Sequence, residues 1–373
     1  MSLKDIFCQE KAVGILQRAY ESAKMPHAYV FTGDEGVGKF KTACEWAKLL
    51  LCQNPSKQQP APQPFADSCG RCRCCRLFDA GSHPDFHLVY KELREFTEDG
   101  KGKKAPVDVP VDVVREFLIE KVSSRPAASQ KKVFVLTEAE KLNTYSQNSL
   151  LKVLEEPPAY CTIILLCTGL DKLLPTIKSR CTVVNFGLVH EDMIVEKLKD
   201  MDHLQNQKAR YFAALAQGSL GWACKWARLE LADANLYQTK NDLVAAISEY
   251  QYPQALELAE RFLAHAHRIA AVWTSLDKDT STTEINRNAA KTLLRIIISV
   301  LRDTVTLNLR QGQKIINSDQ ENRLKVLATR LEPETASRKI IDVYRAMRLV
   351  DAAVNERLIF EQLLLNLAAC DRM

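Results

Sequence analysis

Five short apolar runs punctuate the first half of the chain, at residues 28–32, 86–90, 132–136, 162–167 and 182–186. Each is β-branched or aromatic and too short for a helix, which predicts buried strands. Between them the apolar positions recur at helical spacing. Residues 4–24 carry Ile6, Phe7, Val13, Leu16 and Tyr20 on one side, and residues 41–51 contain neither Gly nor Pro. Residues 111–122 place Val111, Val114, Phe117, Leu118 and Val122 together, and 145–155 runs up to Pro157-Pro158, which must stop a helix. A short helix is expected near 171–178. Strands thus alternate with helices through this half of the chain. Beyond residue 189 the strand pattern ends and helical spacing continues to the C-terminus. Leu293-Leu294-Ile296-Ile297-Ile298-Val300-Leu301 and Ala346-Leu349-Val350-Val354 show it best.

The turn after the first run is Gly33-Asp34-Glu35-Gly36-Val37-Gly38-Lys39-Phe40. Strand, glycine-rich turn and helix is the setting of a phosphate-binding loop. Gly33, Gly36 and Gly38 let backbone N–H groups converge on a phosphate at a helix N-terminus, and Lys39 would reach the outer phosphates. The next residue should be Ser or Thr, whose hydroxyl helps hold Mg²⁺. Phe40 stands there and has no ligand atom. The run 132–136 ends at Thr137-Glu138-Ala139-Glu140, where such enzymes carry Asp-Glu. Thr137 replaces the metal-binding Asp, while Glu138 keeps the Glu position. Thr168, at the end of the fourth run, is a polar residue able to sense a γ-phosphate. Hydrolysis is expected to be lost, whereas nucleotide binding by the surviving loop stays open.

Composition narrows the class. The 373 residues are 46% apolar and 26% charged, as in an ordinary globular protein of two or three domains. Membrane attachment is not expected, because no apolar run nears the ~20 residues of a membrane span. The N-terminus lacks the apolar core of a signal peptide, so a cytoplasmic location is expected. The net charge of +5 is too small to argue for nucleic acid on its own. Cysteine usage changes the picture more. Twelve are present, with Cys69, Cys72, Cys74 and Cys75 crowded into seven residues and Cys52 closing the helix before them. Four thiolates suit a closed tetrahedral Zn²⁺ site of structural type, built from Cys52, Cys69, Cys72 and Cys75, with Cys74 an alternative to Cys75. Reduced thiols without metal, or a redox pair, are the competing reading. Arg71, Arg73 and Arg76 would offset the negative charge. The segment 54–67, rich in Pro and Gln, reads as a surface loop, as does Asp99-Gly100-Lys101-Gly102. His27, in the turn before the first strand, reads as structural.

Two further stretches carry a family likeness. Asn148-Ser149-Leu150-Leu151-Lys152-Val153-Leu154-Glu155-Glu156-Pro157-Pro158 and Leu174-Pro175-Thr176-Ile177-Lys178-Ser179-Arg180-Cys181 resemble the corresponding motifs of bacterial clamp-loader AAA+ subunits. The cysteine cluster and its exit, Ala80-Gly81-Ser82-His83-Pro84-Asp85-Phe86, resemble their zinc module. The resemblance implies an α/β plus all-α chain: an AAA+ P-loop domain with a parallel sheet over residues 1–188 and the zinc module inserted at about 52–75, a small helical lid over 189–238, and a helical collar over 239–373. The closing helix, containing Asn355-Glu356-Arg357-Leu358-Ile359-Phe360, is similar to that of the collar. In the family an Arg in a Gly-Ser-x-Arg pattern of the lid reaches the nucleotide. This chain has Gly218-Ser219-Leu220-Gly221, a third missing contact. Arg180, within Ser-Arg-Cys, is implied to act in trans as an arginine finger on a neighbouring subunit's ATP. The implied partners are delta and gamma/tau clamp-loader subunits and, through the complex, the sliding clamp and primed DNA. Two other readings are an active ATPase of gamma/tau type and a free-standing zinc-dependent nucleic-acid binder.

Overall fold

The computed structural model describes residues 2–22, 25–58, 65–98, 107–201, 203–278, 280–309 and 314–368. The chain divides into two compact units, Met1–Val189 and His190–Met373. Asp99-Gly100-Lys101-Gly102 lies outside the described residues, as do residues 59–64 of the expected 54–67 loop.

In the first unit the apolar runs become β1 (Ala28–Thr32), β4 (Phe86–Val89), β5 (Lys132–Leu136), β6 (Cys161–Cys167) and β7 (Thr182–Asn185). They form one parallel sheet in the order β4-β5-β6-β1-β7. β1, the strand that runs into the glycine-rich turn, therefore lies inside the sheet, with β6 on one side and β7 on the other. Every residue of β1, β5 and β6 is buried. Alternate side chains serve two cores, as the period of a strand requires. Val30, Phe134, Leu136, Ile163 and Leu165 pack against Val113, Leu118, Leu150 and Leu154 on one face. Tyr29, Phe31, Val133, Val135 and Ile164 pack against Leu16, Trp46 and Leu49 on the other.

The expected helix over 4–24 breaks into a 3-10 turn (Leu3–Asp5) and α1 (Glu10–Glu21), with Cys8 between them at φ 55°. α2 (Lys39–Leu51) follows the glycine turn. The ends of the expected 54–67 loop instead pair as an antiparallel hairpin, β2 (Ser56–Gln58) with β3 (Phe65–Asp67). The reason is tertiary. The side-chain amide of Gln17 donates to Ala66 O at 2.9 Å and accepts from Ala66 N at 2.8 Å, so α1 supplies the edge pairing that local propensity lacks. α3 (Arg73–Asp79) lies within the cysteine cluster and was not anticipated. α4 (Val111–Val114), a π-helical turn (Arg115–Ile119) and α5 (Glu120–Val122) fill the expected 111–122 helix. α6 (Thr144–Glu155) is capped by Asn143, whose Oδ1 accepts from Ser146 N at 2.9 Å. The expected 171–178 helix splits into a 3-10 turn and α7 (Pro175–Lys178).

The described residues of the second unit are helical. α8 (Glu191–Lys199), α9 (Asn206–Ala216) and α10 (Leu220–Leu231) come first. α11 (Leu236–Ser248), α12 (Ala255–Leu276), α13 (Thr282–Asn308), α14 (Glu321–Arg330), α15 (Pro333–Asp351) and α16 (Glu356–Ala368) complete it. α13 is buried along most of its length and packs against α12, α14 and α15. The indole N–H of Trp226 on α10 donates to Thr292 Oγ1 on α13 at 3.1 Å. Among the described residues no helix is long and apolar enough to cross a membrane.

Candidate functional site

The glycine turn leaves the C-terminal end of β1 and enters α2, where backbone N–H groups point out of the fold. Gly33, Gly36 and Gly38 all have left-handed φ, of 146°, 79° and 106°. At Gly33 a side chain is also excluded by space, because a Cβ would sit 2.4 Å from Phe186 O. Gln9 fastens the turn to the end of β7. Its Nε2 donates to Val37 O at 3.0 Å and to Gly187 O at 2.8 Å, while its Oε1 accepts from Gly187 N at 3.1 Å. Nothing in the local sequence marks Gln9 for this.

Lys39 is the first residue of α2 and is 8% exposed. Its Nζ folds back onto the turn, donating to Gly33 O and, at 2.6 Å, to Asp34 O. Burial lowers its pKa, and the negative charge of Glu140 works in the opposite direction. Phe40 beside it is 47% exposed, so an apolar ring stands at the surface where Mg²⁺ chemistry requires a hydroxyl.

The strand ends next to this turn hold the other expected positions. Thr137 Oγ1 points at Val89 O, 3.5 Å away. Glu138 adopts a left-handed conformation at φ 51°, and its carboxylate is gripped by Lys91 at 3.1 Å and by Lys141. Burial would raise its pKa, but the two lysines prevail and hold it below the usual carboxylate range. A glutamate so paired is a poor partner for an attacking water. Thr168 Oγ1 donates to Glu140 Oε1 at 2.6 Å, and Oε2 of Glu140 is buried without a hydrogen-bond partner. Lys91 and Glu140 escaped the sequence reading. Lys141, three residues after Glu138 in a helical turn, was legible as an i,i+3 partner.

Arg180 lies in the turn between α7 and β7. One guanidinium nitrogen donates to Thr176 O at 3.0 Å, and the other pairs with Glu155 Oε1 at 2.7 Å. His27 Nε2 lies 3.1 Å from Leu154 O, at the end of the same helix α6. Ser219 caps α10, its Oγ accepting from Trp222 N at 3.3 Å. Gly218 before it has φ 92°, so the Gly-Ser pair starts a helix. Gly221 brings no side chain.

The structure brings Cys52, Cys69, Cys72 and Cys75 together, with all four sulfurs within 4.8 Å of one another. Cys52 Sγ and Cys72 Sγ are 3.9 Å apart. A tetrahedral ion with bonds of roughly 2.3 Å sets its sulfurs about 3.8 Å apart, so the cluster has the dimensions for one. Backbone amides stabilise the thiolates: Cys69 N donates to Cys52 Sγ at 3.3 Å, Cys72 N to Cys69 Sγ at 3.3 Å, and Cys75 N to Cys72 Sγ at 3.4 Å. Burial opposes ionisation of Cys72, yet the Cys75 amide and the neighbouring thiols bring its pKa down to about 6. Cys74 leaves the cluster, its thiol donating to Ala128 O at 3.4 Å. The groups present are those of a metal centre with four sulfur ligands.

Residues 8–190 match the family model described as DNA polymerase III, delta subunit, and residues 280–369 match the one described as its C-terminal part. The delta-prime subunit of Bacillus subtilis DNA polymerase III is 26% identical over 361 residues, spanning 96% of each chain. That of Escherichia coli is 29% identical over 297 residues, covering 76% of this chain and 83% of the relative. The chain belongs to the delta-prime family of DNA polymerase III subunits. A gamma subunit-related protein of DNA polymerase III from Thermotoga maritima superposes on this chain with a TM-score of 0.49 at 14% identity. That superposition covers 96% of this chain and 98% of the other.

Proposed function

We propose that this delta-prime family chain is a non-hydrolysing stator of the clamp loader. It assembles with delta and gamma/tau, and the complex places the sliding clamp on primed DNA for replication. Phosphoryl transfer in a P-loop site depends on positioning and on charge stabilisation around Mg²⁺. The observation that carries the reading is the state of the metal and water positions. Phe40 has no ligand atom and its ring is exposed, Thr137 replaces a carboxylate, and Glu138 is locked between Lys91 and Lys141. Gly221 removes the lid arginine as well. Residues 189–238 are assigned the lid role and 239–373 the collar role. The four-cysteine centre holds Zn²⁺ structurally, fixing the connection between α2 and α3 without taking part in chemistry.

Catalysis by this chain is exerted on a neighbour. Arg180 serves as an arginine finger for the ATP bound by an adjacent gamma/tau subunit, where such a group is worth ~10³–10⁵ in rate. The test uses purified chain and the complex reassembled with delta and gamma/tau. The chain alone, given Mg-ATP with or without primed DNA, is expected to show no turnover. The complex carrying Arg180→Ala is expected to assemble and to lose DNA-stimulated ATPase activity. Turnover by the isolated chain would return it to the active ATPase class. Full activity of the Arg180→Ala complex would remove the trans role.

A further inference from the structure

We propose that Glu155 is the positioning residue for Arg180, an inference that rests on the trans role given to Arg180 above. Glu155 is the last residue of α6, and Pro157-Pro158 prevent the helix from running on. A carboxylate at a helix C-terminus faces the negative end of the helix dipole, so α6 itself gains nothing from Glu at this place. Its partner is not local. Oε1 meets the Arg180 guanidinium at 2.7 Å, across 25 residues of chain that include β6 and α7. Both side chains are partly exposed, at 47% for Glu155 and 34% for Arg180. An ion pair in that setting contributes little to folding. What the pair does is aim the guanidinium.

Arginine has a long side chain with many rotamers, and an unrestrained one must be ordered each time it meets a phosphate. Here one nitrogen is tied to Thr176 O and the other to Glu155, so the plane of the group is set from two sides. Guanidinium carries five N–H donors, and these two bonds leave the remainder for an incoming anion. The negative charge of Glu155 also keeps the cation compensated until the neighbour's phosphates arrive. Glu155 therefore acts through Arg180 and touches no substrate.

The experiment compares complexes reassembled with delta and gamma/tau that carry wild-type chain, Glu155→Ala, Glu155→Gln, Arg180→Ala or the double Glu155→Ala/Arg180→Ala. DNA-stimulated ATPase is read as kcat and KM, and complex mass confirms assembly. Glu155→Ala is expected to lower kcat on the order of fivefold with KM for ATP unchanged, since orientation and not binding is lost. Glu155→Gln keeps an acceptor oxygen and is expected to restore part of the rate. The double variant is expected to match Arg180→Ala alone, because Glu155 has nothing left to position. If Arg180→Ala slows the complex while Glu155→Ala leaves kcat at wild-type, the inference fails and the trans role stands. A faster Glu155→Ala complex, or a double variant slower than Arg180→Ala, equally overturns it. An unaffected Arg180→Ala complex removes the parent reading instead.

Discussion

At the scale of single residues, a methyl group on Gly33 would meet the Phe186 carbonyl at 2.4 Å, whereas one on Gly38 would meet nothing within 4 Å. Both positions have left-handed φ, so both substitutions strain the backbone, but only the first adds a clash with main chain. Gly33→Ala is expected to cost about 3 kcal/mol and Gly38→Ala about 1 kcal/mol, read from urea unfolding. Equal losses would show that the contact with β7 does not constrain the turn. Asp85 offers a second case. It is 1% exposed and accepts from Ala127 N, Ala128 N and Ser129 N at 2.6, 2.8 and 2.9 Å. Burial would raise its pKa, but these amides outweigh burial and hold it below the usual carboxylate range. A depressed folded pKa stabilises the fold above the unfolded value near ~3.9 and loses that contribution as pH falls through the folded value. Asp85→Ala leaves buried donors unpaired and is expected to cost about 2–3 kcal/mol at pH 7. The difference from wild type should shrink in acid. A difference that stays constant from pH 7 to pH 3 would contradict the linkage.

The elements around the cysteines form a connected structure. Cys52 closes α2 and Cys72 caps α3, and Lys48 on α2 grips Asp79 on α3 at 2.6 and 2.9 Å. Cys74, outside the sulfur cluster, contacts the same 127–129 turn that Asp85 holds. Cys72→Ser is therefore expected to lose bound zinc, whereas Cys74→Ser retains one equivalent, as measured by elemental analysis of purified protein. Chelation is expected to raise hydrogen exchange in α3 and the adjoining end of α2. Loss of metal from the Cys74→Ser protein would put Cys74 in the ligand shell. The sulfur spacing was readable from C-x-x-C arithmetic, but the choice between Cys74 and Cys75 was not. One residue along a helix turns a side chain by about 100°, and only the packing of α3 decides which thiol faces in.

For the whole molecule, membership of the delta-prime family carries its own expectation. Mixed with delta and gamma/tau, the chain should enter a stable complex, detectable by its mass. Failure to associate under conditions where gamma/tau and delta join would count against the stator reading. The sequence by itself determined five strands, of which β1, β5 and β6 are buried throughout and the edge strands β4 and β7 only in part, the glycine turn, the missing metal contacts at Phe40 and Thr137, the cysteine spacing and a helical second half. These are local facts, written in periodicity and residue type. Tertiary structure alone decided the strand order, the β2–β3 hairpin held by Gln17, the locking of Glu138 by Lys91 and the pairing of Arg180 with Glu155. Each depends on residues far apart in the chain, and a one-dimensional pattern does not record which distant side chains meet.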